Sequence, residues 1–453
     1  MGTARRGPWL KAAVGILSLW PALAALAAPP AVPPVQFLDL RLANGLRVII
    51  APDHSAPVFS IAVTYNTGSR NERPGRTGFA HLFEHMMFQG SENVGKGEHF
   101  ILVLNNGGGM NGTTSEDRTN YFETLPKNQL DLALFLESDR MRSLALNEAN
   151  LDNQRKAVEE ERRLGYDNQP YGKSELEVSN LAYDNFAYKH STIGEMSDLD
   201  AAGLQDVKDF FRIYYAPNNA VLTLVGDVDA AEALQKIKNT FGSISSQTAP
   251  APVDMTEPEH AGARRETIDD SLARVPRVVV AYHIPQGDTP ENDAFQVLER
   301  VLGAGKSSRL YQHLVKDRQL ATSVQVDAEV RRGPSLLTIT AMLRPGVQPE
   351  ELEKAIGDEI EAVRGGGVTP REIEKGRTQF KRDLVGALQS SLTTAIRLGE
   401  YAVYFDDPGL INALYDRFSA VTADHVKAAA GRYLTAASRT TVVTLSGASA
   451  SRP

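Results

Sequence analysis

Two stretches of about 200 residues show the same order of predicted strands and helices, and this duplication constrains the fold more than any other feature. The first stretch has an early strand pattern at 58–65 and closes on a buried strand at 219–227. The second has an early strand at 275–284 and closes on the matching pattern at 440–445. Helical patterns lie between these strands in both stretches. The chain therefore reads as two homologous domains rather than as a solenoid of short repeats.

Strands and helices are mixed in each stretch and do not alternate strictly, which favours an α+β fold over a doubly wound α/β fold. We expect two homologous domains, each a largely antiparallel sheet packed with helices. With 453 residues the chain is too long for one ordinary core. The predicted boundaries are 35–243 for the first domain, a Pro- and Ser-rich linker at 244–262, and 263–450 for the second domain.

Residues 1–28 have the pattern of a cleaved secretory signal peptide. Basic residues precede an apolar run at 12–26, and small residues at 25–27 offer a cleavage site. An uncleaved membrane anchor is the alternative, but the run is short and Pro21 interrupts it. We therefore expect a periplasmic or secreted protein without a stable membrane anchor, and the export route stays open.

The chain has no cysteine and a net charge of −8. The absence of cysteine excludes disulfides, thiolate metal sites and cysteine nucleophiles. The negative charge argues against a general nucleic-acid binder. Any transition metal must then be held by histidine and carboxylate side chains.

The segment His81-Leu82-Phe83-Glu84-His85 offers such side chains on one predicted helix. At about 100° per residue, His81, Glu84 and His85 fall on one side of this helix, and the apolar residues fall on the other. Histidines four residues apart can bind one zinc ion, and the adjacent glutamate can then act as a general base. A helix of this kind can bury its apolar side and still present a metal site.

A catalytic zinc needs a third protein ligand. The helical pattern at 151–164 contains three consecutive glutamates, Glu159, Glu160 and Glu161. Helical phase places Glu161 near the middle of the apolar face, where a carboxylate is costly unless it binds a cation. The alternative is a solvated helix held by Glu–Arg pairs, which suits the other two glutamates.

With this third residue the pattern resembles the pitrilysin/insulysin family of zinc metallopeptidases, whose inverted motif is H-x-x-E-H followed by a distant glutamate. It looks closest to the small two-domain branch that includes mitochondrial processing peptidase and bacterial periplasmic relatives. The resemblance covers nearly the whole mature chain, including 68–78, 111–121, 158–163, 215–227 and 305–310. It implies two similar α+β domains, of which only the first binds zinc.

By this resemblance His81, His85 and Glu161 bind one zinc ion per chain, and Glu84 activates the water on that zinc. A purely structural zinc is the alternative, although it would normally use four protein ligands. The resemblance also implies that Asn111, Gly112 and Thr113 form a sheet edge to which an extended peptide substrate adds as a strand. From the residues alone this segment reads equally well as an ordinary edge strand.

The chain departs from the family pattern in its second half. Members that act alone usually carry an Arg and, seven residues later, a Tyr that contact the substrate. Val315 and Thr322 stand at these positions, and neither can donate a charged or phenolic hydrogen bond. Arg309 or Arg318 are possible substitutes. We expect instead a homologous partner subunit that supplies the Arg and Tyr contacts in a heterodimer, with a homodimer as the alternative.

The predicted function is a zinc-dependent endopeptidase that hydrolyses peptides or unfolded protein segments, as the zinc-bearing subunit of a dimer. The alternative from another class is a non-catalytic peptide-binding or assembly subunit. The intact set of His81, Glu84, His85 and Glu161 favours the peptidase, whereas Val315 and Thr322 keep the alternative open for the isolated chain.

Overall fold

A computed structural model describes residues 32–447, so the predicted signal peptide at 1–28 and the last residues of the predicted second domain lie outside the described residues. The strands belong to two sheets. The first sheet contains β1 (Leu38–Arg41), β2 (Arg47–Pro52), β3 (Val58–Tyr65), β4 (Gly109–Thr114), β5 (Thr119–Pro126) and β6 (Ala220–Gly226). The second contains β7 (Arg264–Asp270), β8 (Arg277–Ile284), β9 (Ala321–Ala328), β10 (Ser335–Leu343) and β11 (Arg439–Ser446).

Helices cover these sheets. The helices that precede residue 244 are α1 (Phe79–Met86), α2 (Glu98–Asn105), α3 (Leu130–Ser143), α4 (Glu148–Arg162), α5 (Gly172–Ala182), α6 (Phe186–Lys189), α7 (Met196–Asp200), α8 (Leu204–Tyr214) and α9 (Ala230–Phe241). Those that follow are α10 (Pro290–Gly303), α11 (Pro349–Gly366), α12 (Pro370–Leu388), α13 (Ser391–Tyr404), α14 (Leu410–Ala420) and α15 (Ala423–Tyr433). Within residues 32–447, no helix is both long enough and apolar enough to cross a membrane.

The two sheets share one topology. The strand order β2-β6-β3-β5-β4 of the first sheet recurs as β7-β11-β8-β10-β9 in the second, and β1 extends the first sheet at its β2 edge. Each sheet has one parallel pair, β2–β6 and β7–β11, and its other pairs are antiparallel. The predicted α+β class with two similar, largely antiparallel sheets is confirmed. The sequence analysis did not identify β7, which has polar side chains at most positions.

The inner strands of the first sheet are buried on both faces. On β2, Val48 and Ile50 enter the core beneath the helices of the first half, whereas Ile49 and Ala51 point to the opposite face. Successive strand residues alternate between faces, so a strand covered on both sides reads as one continuous apolar run. The helix that covers the second face is α13, which comes from the second half of the chain.

The exchange of helices is mutual, because α5 from the first half packs on β7, β8 and β11 of the second sheet. Both sheets belong to one compact unit that begins at Pro34. Residues 245–260 between the sheets form neither helix nor strand. The boundaries at 243 and 262 stay predictions, since α5 and α13 each cover the sheet of the other half.

Candidate metal centre

Helix α1 carries the His81/Glu84/His85 segment over the first sheet. Its apolar side chains are buried as predicted: Phe79, Leu82, Phe83, Met86 and Met87 are at most 5% exposed. The helix begins after Gly78, which has a left-handed φ of 81°. Gly78 packs closely against Gly194, and a side chain on Gly78 would collide with the backbone of Ile193. This close approach fixes where α1 starts.

A buried carboxylate holds the N-terminus of α1. Glu72 accepts hydrogen bonds from the backbone N–H groups of Gly78 at 2.9 Å and Ala80 at 2.7 Å. Its Oε2 also lies 2.9 Å from Nε2 of His190, which is itself almost buried. An anion at this end of a helix satisfies free N–H groups and complements the helix dipole. Glu72 therefore fixes the helix that carries the candidate metal ligands.

The structure brings His81, His85 and Glu161 together. Oε2 of Glu161 lies 3.7 Å from Nε2 of His81 and 3.3 Å from Nε2 of His85. The two imidazole rings meet edge to face with centroids 4.8 Å apart. A tetrahedral zinc with bonds of about 2.0–2.1 Å separates its ligand atoms by roughly 3.3–3.4 Å. The spacing of these donor atoms therefore fits one zinc ion.

Glu161 reaches this cluster from the side of α4 that helical phase indicated, but its side chain is not buried there. The buried face of α4 consists of Leu151, Gln154, Val158 and Arg162, whereas the Glu161 side chain is 51% exposed. The interpretation of Glu161 as a carboxylate within an apolar face is wrong. The α-helix ends at Arg162 and continues as a π-helical turn over Arg163–Asp167, so helical phase does not extend to the later residues that defined that face.

Gln154 lies two turns before Glu161 on α4, and its Oε1 is 3.3 Å from Nδ1 of His85. A hydrogen bond to the second ring nitrogen fixes the tautomer that presents Nε2 as a ligand. Nδ1 of His81 is buried without a hydrogen-bond partner among the described residues. The sequence analysis gave Gln154 no role, although its spacing of seven residues from Glu161 was the available signal.

The pKa values of these three groups shift in different directions. Burial and the neighbouring His85 lower the pKa of His81 to about 4, so this ring is neutral at pH 7. Burial also lowers the pKa of His85, but the hydrogen bond and charge of Glu161 outweigh it, and the pKa is raised overall. The hydrogen bond to His85 lowers the pKa of Glu161. His81 is therefore the neutral imidazole of the cluster, and the pKa shifts of His85 and Glu161 reflect the hydrogen bond between these two side chains.

Glu84 stands beside this cluster and is 8% exposed. Burial raises its pKa, while a hydrogen bond from Thr114 opposes the rise. That bond joins Thr114 Oγ1 to Glu84 Oε2 at 2.5 Å. A buried carboxylate with a raised pKa and one fixed hydrogen bond suits a general base. The sequence analysis did not identify Thr114, which ends the same segment as the predicted substrate residues.

Asn111, Gly112 and Thr113 lie on β4, which occupies one edge of the first sheet. Ser115 forms a backbone hydrogen bond with Arg118 in the tight turn after β4. Hydrogen-bonded and non-hydrogen-bonded pairs alternate along an antiparallel ladder, so the backbone N–H and C=O groups of Gly112 and Thr114 point to the free edge. At that edge the Gly112 N–H donates a hydrogen bond to Oδ1 of Asn111 at 2.9 Å. The edge therefore has backbone groups that an added strand can pair with.

The side chain of Thr113 points elsewhere. Its Oγ1 donates to Asn120 at 2.6 Å and accepts a hydrogen bond from Arg118, also at 2.6 Å. The same guanidinium binds Glu400 of α13 at 2.9 Å. Thr113 thus helps to fix the turn after β4 rather than presenting a free hydroxyl.

The second half presents neither an arginine nor a tyrosine at the two divergent positions. Val315 is buried in a π-helical turn over Tyr311–Asp317. Thr322 is exposed on β9, the edge strand of the second sheet, and donates to the Met342 carbonyl at 3.3 Å. Arg309 does not substitute for the missing arginine, because Glu372 and Glu359 bind its guanidinium.

Comparisons with known proteins agree with this geometry. Residues 47–195 match the family model described as insulinase (peptidase family M16), and residues 202–380 match that of the peptidase M16 inactive domain. The chain is 34% identical over 376 residues to a protein named zinc protease PqqE from Helicobacter pylori, covering 82% of this chain and 84% of that protein. It is 23% identical to a probable mitochondrial-processing peptidase subunit beta from Arabidopsis thaliana, covering 87% of this chain and 75% of that protein.

Among solved structures, a protease from Helicobacter pylori superposes with a TM-score of 0.86 at 31% identity, covering 90% of this chain and 99% of that one. The sequence of the first half, the α+β architecture and the His/His/Glu cluster point to the same conclusion. The chain belongs to peptidase family M16.

Proposed function

We propose that the chain is a zinc-dependent endopeptidase that hydrolyses peptides or unfolded protein segments. The observation that carries the proposal is the position of Glu84, a buried carboxylate held beside the His81/His85/Glu161 cluster and against the sheet edge. Zinc held by three protein ligands polarises a carbonyl and lowers the pKa of a coordinated water to about 7. Three protein donors leave a coordination position open for that chemistry.

The residues of the chain supply the remaining functions. Glu84 accepts a proton from the attacking water and returns it to the leaving amine, because its raised pKa suits both transfers. The free edge of β4 binds the substrate as an added strand, which pairs with the backbone groups of Gly112 and Thr114. Backbone pairing accepts many sequences, so the substrate class is an extended peptide rather than a folded protein.

We infer that the active form is a dimer. Val315 and Thr322 provide no charged or phenolic donor, and Arg309 is already bound by two glutamates. A homologous subunit that brings an Arg and a Tyr to the site would complete the stabilisation of the developing oxyanion. A homodimer is the alternative. The N-terminal signal pattern supports a location in the periplasm or outside the cell.

The test is cleavage of a quenched peptide library by zinc-loaded protein, alone and with a homologous subunit that carries the Arg and Tyr. Wild type is expected to cleave in at least one condition. Glu84→Gln is expected to retain zinc and lose at least about 100-fold in kcat/KM, whereas the exposed control Glu92→Gln keeps wild-type activity. Equal cleavage by wild type and Glu84→Gln would rule out the mechanism, and no cleavage in any condition would favour the non-catalytic peptide-binding subunit.

A further inference from the structure

A second group of histidine and carboxylate side chains lies where the segment between the sheets meets the second half of the chain. Glu257 and His260 come from that segment, and His283 comes from β8. One donor atom from each lies within 4.8 Å of the others. We propose that this group is a second binding site for a late first-row divalent cation, with Zn²⁺ as its simplest occupant.

The free ring nitrogens carry the argument. Nε2 of His260 lies 2.8 Å from the Ala182 carbonyl at the end of α5 and donates a hydrogen bond to it. This leaves the lone pair on Nδ1, which is buried and has no partner among the described residues. Nε2 of His283 is likewise buried without a partner. A histidine that donates one N–H to a carbonyl and directs its other nitrogen into a site is the usual arrangement of a metal ligand.

The carboxylate is also held in place. Glu257 accepts hydrogen bonds from the backbone N–H groups of Asp184 at 2.7 Å and Asn185 at 3.0 Å, one at each oxygen. Each oxygen keeps a further lone pair for a cation. Two imidazoles and one carboxylate form a donor set that suits zinc and its neighbours in the first transition row. The His260 and His283 rings meet edge to face with centroids 4.8 Å apart, so small rotations bring their free nitrogens to a common ion.

The cluster opens into a cavity of about 650 Å³. The cavity has room for water or an added ligand to complete the coordination of an ion held by three protein donors. Burial and the charges of Arg264 and Arg331 lower the pKa of His283, but each of these arginines is paired with carboxylates. Arg432 lines the cavity, and its side chain is 71% exposed. Solvent therefore screens its charge from the cluster.

A third cluster, formed by His99, Glu123 and Glu137, is a weaker candidate. Arg140 is buried within it and forms an ion pair with Glu137. The guanidinium already supplies the positive charge that a metal would bring, so this cluster needs no ion. In the described part of the chain, none of the three donors around His283 forms an ion pair with an arginine: the nearby Arg264 pairs with Asp184, and Arg331 pairs with Glu116 and Glu329. The inference therefore rests there.

An ion at this site would bind the segment between the sheets to β8. Without it, Glu257 and His260 are held by hydrogen bonds to the end of α5 and to the residues just after it. With it, coordination bonds would join these residues directly to the second sheet. Binding that requires the folded arrangement raises the stability of the folded chain.

The test is a titration of the metal-free full-length protein with Co²⁺, followed by visible absorption, with zinc content measured in parallel. Wild type is expected to bind two equivalents. His81→Ala/His85→Ala is expected to bind one, and adding His283→Ala to that variant is expected to remove it. Zinc is expected to raise the Tm of the double variant but not of the triple variant. The control His54→Ala, at an exposed histidine, is expected to bind two equivalents.

One equivalent in wild type together with none in His81→Ala/His85→Ala would overturn the proposal. That comparison leaves Glu257, His260 and His283 intact, so it does not depend on whether a variant of His283 folds. An unchanged stoichiometry after His283→Ala alone would also overturn it. None of these measurements depends on peptide cleavage, so they stand apart from the proposed peptidase activity.

Discussion

Gly112 lies directly against the Glu84 side chain. A Cβ placed on Gly112 would come within 3.0 Å of Glu84 Cγ and within 3.2 Å of Glu84 Oε1. Tyr121 on β5 closes the same space, since its Cδ1 would be 3.2 Å away. With the hydroxyl of Thr114 on its other oxygen, Glu84 is held by the backbone of β4 and by the residue that ends it. The sheet edge and the candidate base therefore form one unit.

Gly112→Ala is expected to lower kcat/KM by about tenfold or more, because a displacement of a few tenths of an ångström moves Glu84 relative to the metal centre. Gly109→Ala is the matched control, since its Cβ would meet no atom within 4 Å in the same strand. Steady-state kinetics on one peptide, with zinc content and Tm measured alongside, separate this effect from unfolding. Equal loss in both variants would show that the strand, and not the contact with Glu84, is responsible.

Thr114→Val is expected to shift the acid limb of the kcat/KM profile to higher pH. Burial raises the pKa of Glu84, and the Thr114 hydroxyl opposes that rise, so removal of the hydroxyl raises the pKa further. Glu84 must be ionised to accept a proton, so the loss in kcat/KM is expected to be largest at acid pH and to shrink as the pH rises. Thr114→Ser keeps the hydroxyl and is expected to restore the wild-type profile. A uniform loss at every pH would contradict this role.

The sequence predicted the elements that position the site. The strand at 58–65 has the predicted bounds, and α1 buries the five apolar residues that the helical pattern placed opposite the histidines. Local sequence was sufficient for these elements. Helix α1 buries one apolar face, and β3, which is covered on both faces, is a continuous run rich in β-branched and aromatic residues. Glu161 shows where such reasoning stops. Its phase on α4 brings it to the histidines, but the π-helical turn after Arg162 leaves Leu164 exposed, so the expected apolar face around Glu161 does not form.

Glu161→Gln is expected to weaken zinc binding by about 100-fold or more, because an amide replaces an anionic ligand between His81 and His85. Glu160→Gln is the matched control one residue earlier, where the carboxylate is exposed and lies 3.2 Å from Arg163. Competition with a chelator measures both affinities. The same affinity in the two variants would remove Glu161 from the metal centre. If the proposed second site also binds zinc, the experiment measures the loss of one of the two zinc equivalents that the chain binds.

His190→Gln is expected to destabilise the protein by about 2 kcal/mol near pH 6, because Glu72 then lacks its charged partner. Burial lowers the pKa of His190, but the hydrogen bond and charge of Glu72 raise it more, so the pKa is raised overall. A raised histidine pKa stabilises the fold fully below about pH 6.5 and loses that contribution as the pH rises through the folded value. Urea unfolding from pH 6 to pH 9 is therefore expected to show a narrowing gap between variant and wild type.

A widening gap would contradict the sign of the Glu72–His190 interaction. His54→Gln is the control, because His54 is 68% exposed and its replacement is expected to change stability by less than about 0.5 kcal/mol. This pair lies outside the metal cluster but fixes the start of α1. Loss of the pair is therefore expected to lower zinc affinity as well as stability.

The exchange of helices between the halves could not be predicted from the sequence. Helical patterns precede the last strand of the second half, but periodicity does not say which sheet such a helix covers. The sequence did not indicate that His260 and His283 lie close together, because one is in an irregular segment and the other is on a strand. Only the folded chain brings them together.

Gly399→Ala tests the packing of α13 on the first sheet. A Cβ at this position would lie 2.5 Å from Thr64 Oγ1 and 3.3 Å from Thr64 Cβ. Because helices cover β3 on both faces, the strand cannot easily shift to relieve this contact. We expect a loss of about 1–3 kcal/mol in the free energy of unfolding from overpacking. Gly386→Ala in α12 meets no atom within 4 Å and is expected to gain up to about 1 kcal/mol from helix propensity. Changes of opposite sign in the free energy of unfolding, measured with urea, would show that a helix from the second half supports the sheet beneath the metal centre. A gain in stability in both variants would place α13 away from β3.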